Sequence, residues 1–211
     1  MKVAIIYDNT VIREDLESDW GFAALVETDG RKILFDTGAS GSILLGNMRK
    51  LGIDPEEVDN VFISHAHYDH VGGLSAFLDE NNDVTVWAPV SFRGVKNARE
   101  VVHIEEAREL HAGIYSTGEL EGIEQSMCVE TEKGIVVIAG CSHPKMHHIL
   151  DAAAQFGEIY GIIGGFHGNG PEALQGLNLI CATHCTQEIA EIKAAYPDQY
   201  IEGGAGKSIE I

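Results

Sequence analysis

Three histidines and an aspartate fall within six residues in the segment Ser64-His65-Ala66-His67-Tyr68-Asp69-His70. Imidazole and carboxylate suit zinc, and also iron or manganese. In extended backbone, residues two apart point the same way, so His65 and His67 can grip one ion. As the chain turns toward a helix, Asp69 and His70 swing to another direction and can face a second. Two ions about 3.5–4 Å apart could then share a hydroxide. The bland alternative is a histidine-rich surface loop. If each position were filled by chance at roughly 5%, the pattern would arise in about one in a thousand chains of this length, so the metal reading is preferred.

Such a loop needs a rigid support. Short apolar runs bounded by Gly, Asp or Pro recur along the chain and predict strands over Val3–Tyr7, Phe22–Glu27, Lys32–Phe35, Asn60–Ile63, Val84–Ala88, Gly113–Ser116, Met127–Glu130, Gly134–Ala139, Ile159–Ile163 and Leu179–Ala182. Helical patterns lie between them at Ser42–Leu51, Gly73–Asp79, Pro144–Gln155, Pro171–Gly176 and Thr186–Ala195. Pro55 follows Asp54 in a turn or helix start. Helix and strand alternate unevenly. This fits an α/β chain of two sheets packed face to face, with helices outside, better than one parallel sheet. No repeat or linker is visible, so residues 1–211 are expected to form one domain.

The later histidines sit where predicted strands have just ended. Gly134–Ala139 leads to Cys141 and His143, Ile159–Ile163 to His167, and Leu179–Ala182 to His184. Loops at strand ends carry side chains that a sheet holds in place. His143 is therefore assigned as the third ligand of a first ion, and Asp69, His70 and His184 as ligands of a second. Cys141 is open between a thiolate ligand and a buried structural cysteine; as a ligand, it would leave His143 to a supporting place. His167 is read as a proton donor beside the metals, the alternatives being a ligand or a packed histidine. His103 and His111, in Glu-rich sequence, are expected to face solvent, as are His147 and His148. Cys128, Cys181 and Cys185 read as small core residues. Gly203-Gly204-Ala205-Gly206-Lys207 lacks the spacing of a nucleotide P-loop, and Lys207 reads as a solvent lysine near a frayed end, the alternative being a point charge for a substrate phosphate.

Fourteen Lys plus Arg stand against 33 Asp plus Glu, a net charge of −19. That argues against nucleic acid and against an anionic membrane surface, and it opposes phosphorylated substrates at long range. No apolar run is long enough for a membrane span, and the N-terminal run is too short for a signal peptide. The chain is thus expected to be cytoplasmic, with reduced thiols, acting on a small-molecule substrate.

His-x-His-x-Asp-His followed by Gly72-Gly73 resembles the metal loop of the metallo-β-lactamase superfamily, and Leu34-Phe35-Asp36-Thr37-Gly38 resembles its early strand-and-turn element. The resemblance implies a four-layer αβ/βα sandwich with a dinuclear site at one edge, zinc as the usual metal, a supporting role for Asp36, and His184 as the last ligand. It also implies that Cys141 stands where many members carry a bridging aspartate. Trp20-Gly21-Phe22, Gly140-Cys141-Ser142-His143-Pro144, Gly164-Gly165-Phe166-His167, Thr183-His184-Cys185-Thr186 and Gly204-Ala205-Gly206-Lys207 resemble the dihydropterin–ribofuranosylaminobenzene-phosphate synthase-like branch. Gly168-Asn169-Gly170 and Gln187 depart from that branch, and the two glycines predict a looser loop near His167. The expected activity is metal-dependent hydrolysis of a phosphoester, ester or lactone, with Asp69 and His167 in catalytic roles. The alternatives are synthase-like transfer of a dihydropterin onto an aminobenzene ribose phosphate, or a non-hydrolytic di-iron or metal-binding module.

Overall fold

The computed structural model describes residues 1–211. Strands β1 (Lys2–Tyr7), β2 (Ala23–Thr28), β3 (Arg31–Phe35), β4 (Asn60–Phe62), β5 (Thr85–Pro89), β6 (Glu100–Ile104) and β13 (Ser208–Glu210) form one sheet, in the order β13-β1-β2-β3-β4-β5-β6. Strands β7 (Glu106–His111), β8 (Ile114–Gly118), β9 (Met127–Thr131), β10 (Gly134–Ala139), β11 (Ile159–Gly165) and β12 (Leu179–Thr183) form the other, in the order β12-β11-β10-β9-β8-β7. Both are mixed. β3 to β6 run parallel, as do β10 to β12, and the remaining pairs are antiparallel.

Alternation along the strands builds the layers. Ala24 and Val26 of β2 meet Val136 and Ile138 of β10 in a cluster between the sheets. Their neighbours Ala23 and Leu25 face outward, onto Leu44 and Met48 of α1 (Gly41–Leu51) and Leu74, Phe77 and Leu78 of α3 (Leu74–Glu80). Ile135 and Val137 likewise face Met146, Ile149 and Ala153 of α4 (Met146–Ala154) and Ile192 of α5 (Ile189–Ala195). Covered on both sides, β10 is buried from Ile135 to Ala139, which is why it reads as an unbroken apolar run. The result is the four-layer αβ/βα sandwich.

The ten expected strands are present, with ends shifted by one or two residues. β6, β7 and β13 were not expected. β6 and β7 are edge strands with mostly half-buried or exposed residues, so they lack an apolar signal. They carry His103 and His111, which are half-buried rather than free in solvent. The His111 ring stands edge-on to Trp87 at 5.2 Å. Pro171–Leu174 is a 3-10 turn, and α5 starts three residues later than the pattern suggests. The C-terminal end is not frayed: β13 pairs with β1, and the Ile211 N–H donates to the Met1 carbonyl at 3.0 Å.

Candidate metal centre

Loops after β1, β3, β4, β10, β11 and β12 meet at one edge of the sandwich. The loop after β4 turns at once into the short helix α2 (Tyr68–Val71), which the sequence pattern did not show because it spans barely one turn. It leaves His65 and His67 on extended backbone and places Asp69 and His70 on the helix.

Two donor groups result. His65 Nε2 lies 3.1 Å from His67 Nδ1, which lies 3.1 Å from His143 Nε2. Three nitrogens around one tetrahedral zinc, each about 2.1 Å from it, would be about 3.4 Å apart, so the triad is close to ligand spacing. In the second group, Asp69 Oδ2 lies 3.2 Å from His184 Nε2 and 3.9 Å from His70 Nε2. His184 Nε2 is buried and has no hydrogen-bond partner. A buried orphan acceptor is costly unless something fills the space it faces, and a divalent cation fits this donor set. His143 Nε2 thus lies among the candidate donor atoms of the first group. Cys141 Sγ lies 3.1 Å from His70 Nε2 and groups with His65 and His70, which puts its sulfur between the two triads.

Protonation favours cation capture, because only a neutral imidazole can ligate. Burial lowers His65, with the His70 charge adding to it. Burial, helped by the neighbouring His67 and His167, lowers His143 to about 4. Burial and the His70 charge lower His184 to about 3. His70 is the exception. Burial pulls it down, but the Asp36 carboxylate 2.7 Å from its Nδ1 outweighs this and raises it. That contact turns Nε2 toward the site, the carboxylate–histidine arrangement that orients metal ligands.

Three buried acids hold the ligand segments. Asp36, as the resemblance implies, accepts from the Ser64 N–H at 2.8 Å and the Ser64 hydroxyl at 2.6 Å. The other two were not anticipated. Asp8 accepts the His184 N–H at 2.9 Å, while Asn9 Oδ1 faces His184 Nδ1 at 3.0 Å. Glu124, 1% exposed, accepts four consecutive main-chain N–H groups: Gly140, Cys141 and Ser142 on Oε1 at 2.9–3.1 Å, and His143 on Oε2 at 2.9 Å. Burial pushes its carboxyl up, and the N–H donors pull against that. Asp8 and Asn9 follow a strand end, so the reasoning that found the late histidines would also have found them. Glu124 has no such signal, because only the tertiary fold brings it to residues 140–143.

Strain is concentrated here. Of seven non-glycine residues with positive φ, Asp36, Ser142, His167 and His184 belong to these loops. Such conformations cost of order 1–3 kcal/mol each and persist where the surroundings over-determine them. His167 is exposed, with its ring centroid 4.9 Å from that of His143. The loop after it is tied down despite its glycines: the Asn169 amide donates to the Phe166 carbonyl at 2.9 Å and the Ser142 carbonyl at 3.2 Å. His147 and His148 are exposed on α4, away from the ligand groups. Trp20 and Tyr68, 52% and 66% exposed, flank the site, and the Trp20 ring lies 5.0 Å from that of His184.

Known proteins share this architecture. The sequence model of the Metallo-beta-lactamase superfamily matches residues 21–121. The chain is 28% identical to the 7,8-dihydropterin-6-methyl-4-(beta-D-ribofuranosyl)-aminobenzene-5'-phosphate synthase of Methanocaldococcus jannaschii, covering 92% of this chain and 90% of that protein. It is 27% identical to an uncharacterized protein of the same organism, covering 99% and 100%. A crystal structure described as a metal-dependent hydrolase of the beta-lactamase superfamily superposes with a TM-score of 0.78 at 27% identity, covering 100% of this chain and 99% of the other. No helix is long and apolar enough to cross a membrane.

Proposed function

We propose that this chain is a metal-dependent hydrolase of the metallo-β-lactamase superfamily, working on a phosphoester, ester or lactone. The observation that carries the reading is the facing pair of donor triads, one ending in the orphaned His184 Nε2. His65, His67 and His143 would hold one divalent ion, and Asp69, His70 and His184 a second, with Cys141 Sγ close to His65 and His70 as a further donor. Zinc suits these donors, and iron or manganese is also compatible. Bound there, the ions would supply Lewis acidity and make water a nucleophile near neutral pH.

The chain's own groups do the rest. Asp36, Asp8 and Glu124 fix the ligand segments before substrate arrives, so little reorganisation accompanies the reaction. Asp69, on α2, faces the reacting centre and orients the attacking water. His167, exposed at the mouth beside His143, passes a proton to the leaving group. Trp20 and Tyr68 form an apolar rim that suits a substrate with a flat or apolar portion next to the bond that is cut.

A second reading is synthase-like transfer, in which the same site activates a dihydropterin pyrophosphate toward an aminobenzene ribose phosphate. What favours it is the synthase relative, similar over nearly all of both chains. One experiment separates the two. Protein loaded with zinc, manganese or iron is offered a panel of aryl phosphodiesters, lactones and thioesters, and separately the dihydropterin–aminobenzene pair. Turnover of a panel member that vanishes in H65A supports hydrolysis. Condensation without panel turnover moves the assignment to transfer. Neither activity in fully loaded protein refutes both.

A further inference from the structure

Two of the four cysteines lie at the metal edge, and the two donor triads account for neither fully. Cys141 Sγ, Cys185 Sγ and a ring nitrogen of His167 all lie within 4.8 Å of one another. Both cysteines are buried, at 3% and 7% exposure, whereas His167 is open to solvent. The Cys185 thiol also approaches the Cys141 carbonyl at 3.6 Å. The space for this cluster is made by Gly165 at the end of β11, where a Cβ would stand 2.7 Å from Cys185 Sγ and 3.3 Å from the Cys141 Cα. Any side chain there would also meet the Gly140 carbonyl oxygen at 2.5 Å and would push the Cys185 sulfur away. The other two cysteines, Cys128 and Cys181, are fully buried in separate apolar clusters.

We propose that Cys141, Cys185 and His167 form a third, sulfur-rich ligand group, able to take a thiophilic divalent ion such as zinc or cadmium. Two thiolates and one imidazole are a donor set that zinc accepts with its fourth position left open, and His167 at the mouth places that position toward solvent. Thiolate sulfur prefers softer ions than imidazole–carboxylate sites do, so this group would differ in metal preference from the two triads beside it. Binding is balanced by release of two protons, one from each thiol. Cys141 is shared: its sulfur reaches His65 and His70 on one side and Cys185 on the other, and a thiolate can bridge two ions.

The test loads the full chain with cadmium alone and follows thiolate-to-cadmium ultraviolet absorption together with the cadmium-113 resonance. The expected result is absorption for two thiolates per chain, falling by about half or more in C185S and unchanged in C128A. An absorption unaffected by C185S, or none in the unmodified chain, overturns the proposal. If C185S fails to fold, the unmodified chain still decides: a cadmium-113 resonance in the two-sulfur range, beside those of the two triads, sustains the group, and the absence of any two-sulfur resonance refutes it. H67A keeps the triads' fate separate. Retained cadmium stoichiometry in that variant would sink the imidazole triad while leaving the sulfur group standing.

Discussion

Replacing Glu124 with glutamine tests how the ligand loop is organised. The side chain keeps its shape but exchanges one acceptor oxygen for an amide donor. Oε1 accepts three N–H groups and Oε2 accepts one, so the less damaging orientation puts the amide nitrogen against the His143 N–H. That loses one charge-assisted bond and sets two buried donors against each other, at roughly 2–4 kcal/mol. At about 2–4 °C per kcal/mol for a chain of this size, the melting temperature of metal-free protein should fall by about 4–16 °C. Metal affinity should fall about 10–100-fold, since His143 and Cys141 lose their fixed backbone. Differential scanning calorimetry and a competitive chelator titration read the two effects. E124Q protein that melts within 1–2 °C of the parent and binds metal equally well would show that the four N–H contacts do not organise the loop.

Other perturbations probe the site from different directions. H184A should lower bound metal by about one equivalent by elemental analysis while leaving far-ultraviolet circular dichroism intact; unchanged stoichiometry removes His184 from the ligand set. H167A should keep the metal of the two imidazole–carboxylate triads and lose turnover by about 10²–10⁴-fold, and full activity would end its proton role. The histidines also make a pH prediction for metal-free protein. His143 and His184 have folded values of about 4 and about 3, below their unfolded value near 6.5, so between these limits the unfolded chain binds more protons and stability falls as pH drops. Asp8, raised to about 6 by burial, acts in the opposite sense over pH 4–6. The comparison is therefore with H143Q, whose urea midpoint should depend less steeply on pH between 4 and 6.5; equal slopes would contradict the shift.

The parts legible in sequence were those with local signals. The histidine loop announces itself by ligand density, and the strands by apolar runs. Strand-end position then picked out His143, His167 and His184, and the structure brings the first and last of these into the triads. What escaped lacked a local signal. β6 and β7 bury too little for an apolar pattern, although they are where the chain crosses from one sheet to the other at Glu105. Glu124 looks like any of the many acidic residues, and its place against residues 140–143 exists only after β9 and β10 have paired. The relation of Cys185 to Cys141 is likewise invisible, because it depends on parallel β10, β11 and β12 ending side by side.

Each donor triad draws on both sheets. His65, His67, Asp69 and His70 hang from β4 in one, while His143 and His184 hang from β10 and β12 in the other. An ion in either triad would therefore act as a rivet through the two halves of the sandwich. Elsewhere the halves are joined by apolar contact and by a few hydrogen bonds, among them those of Asp8 and Asn9 with His184 and of Gln125 with the Ile63 carbonyl. The rivet would strengthen this joint, and its grip would vary with the free metal around the protein, adding about 2.7 kcal/mol at a hundred times the dissociation constant. Metal supply would then set how long the folded chain survives a protease as well as how fast it works.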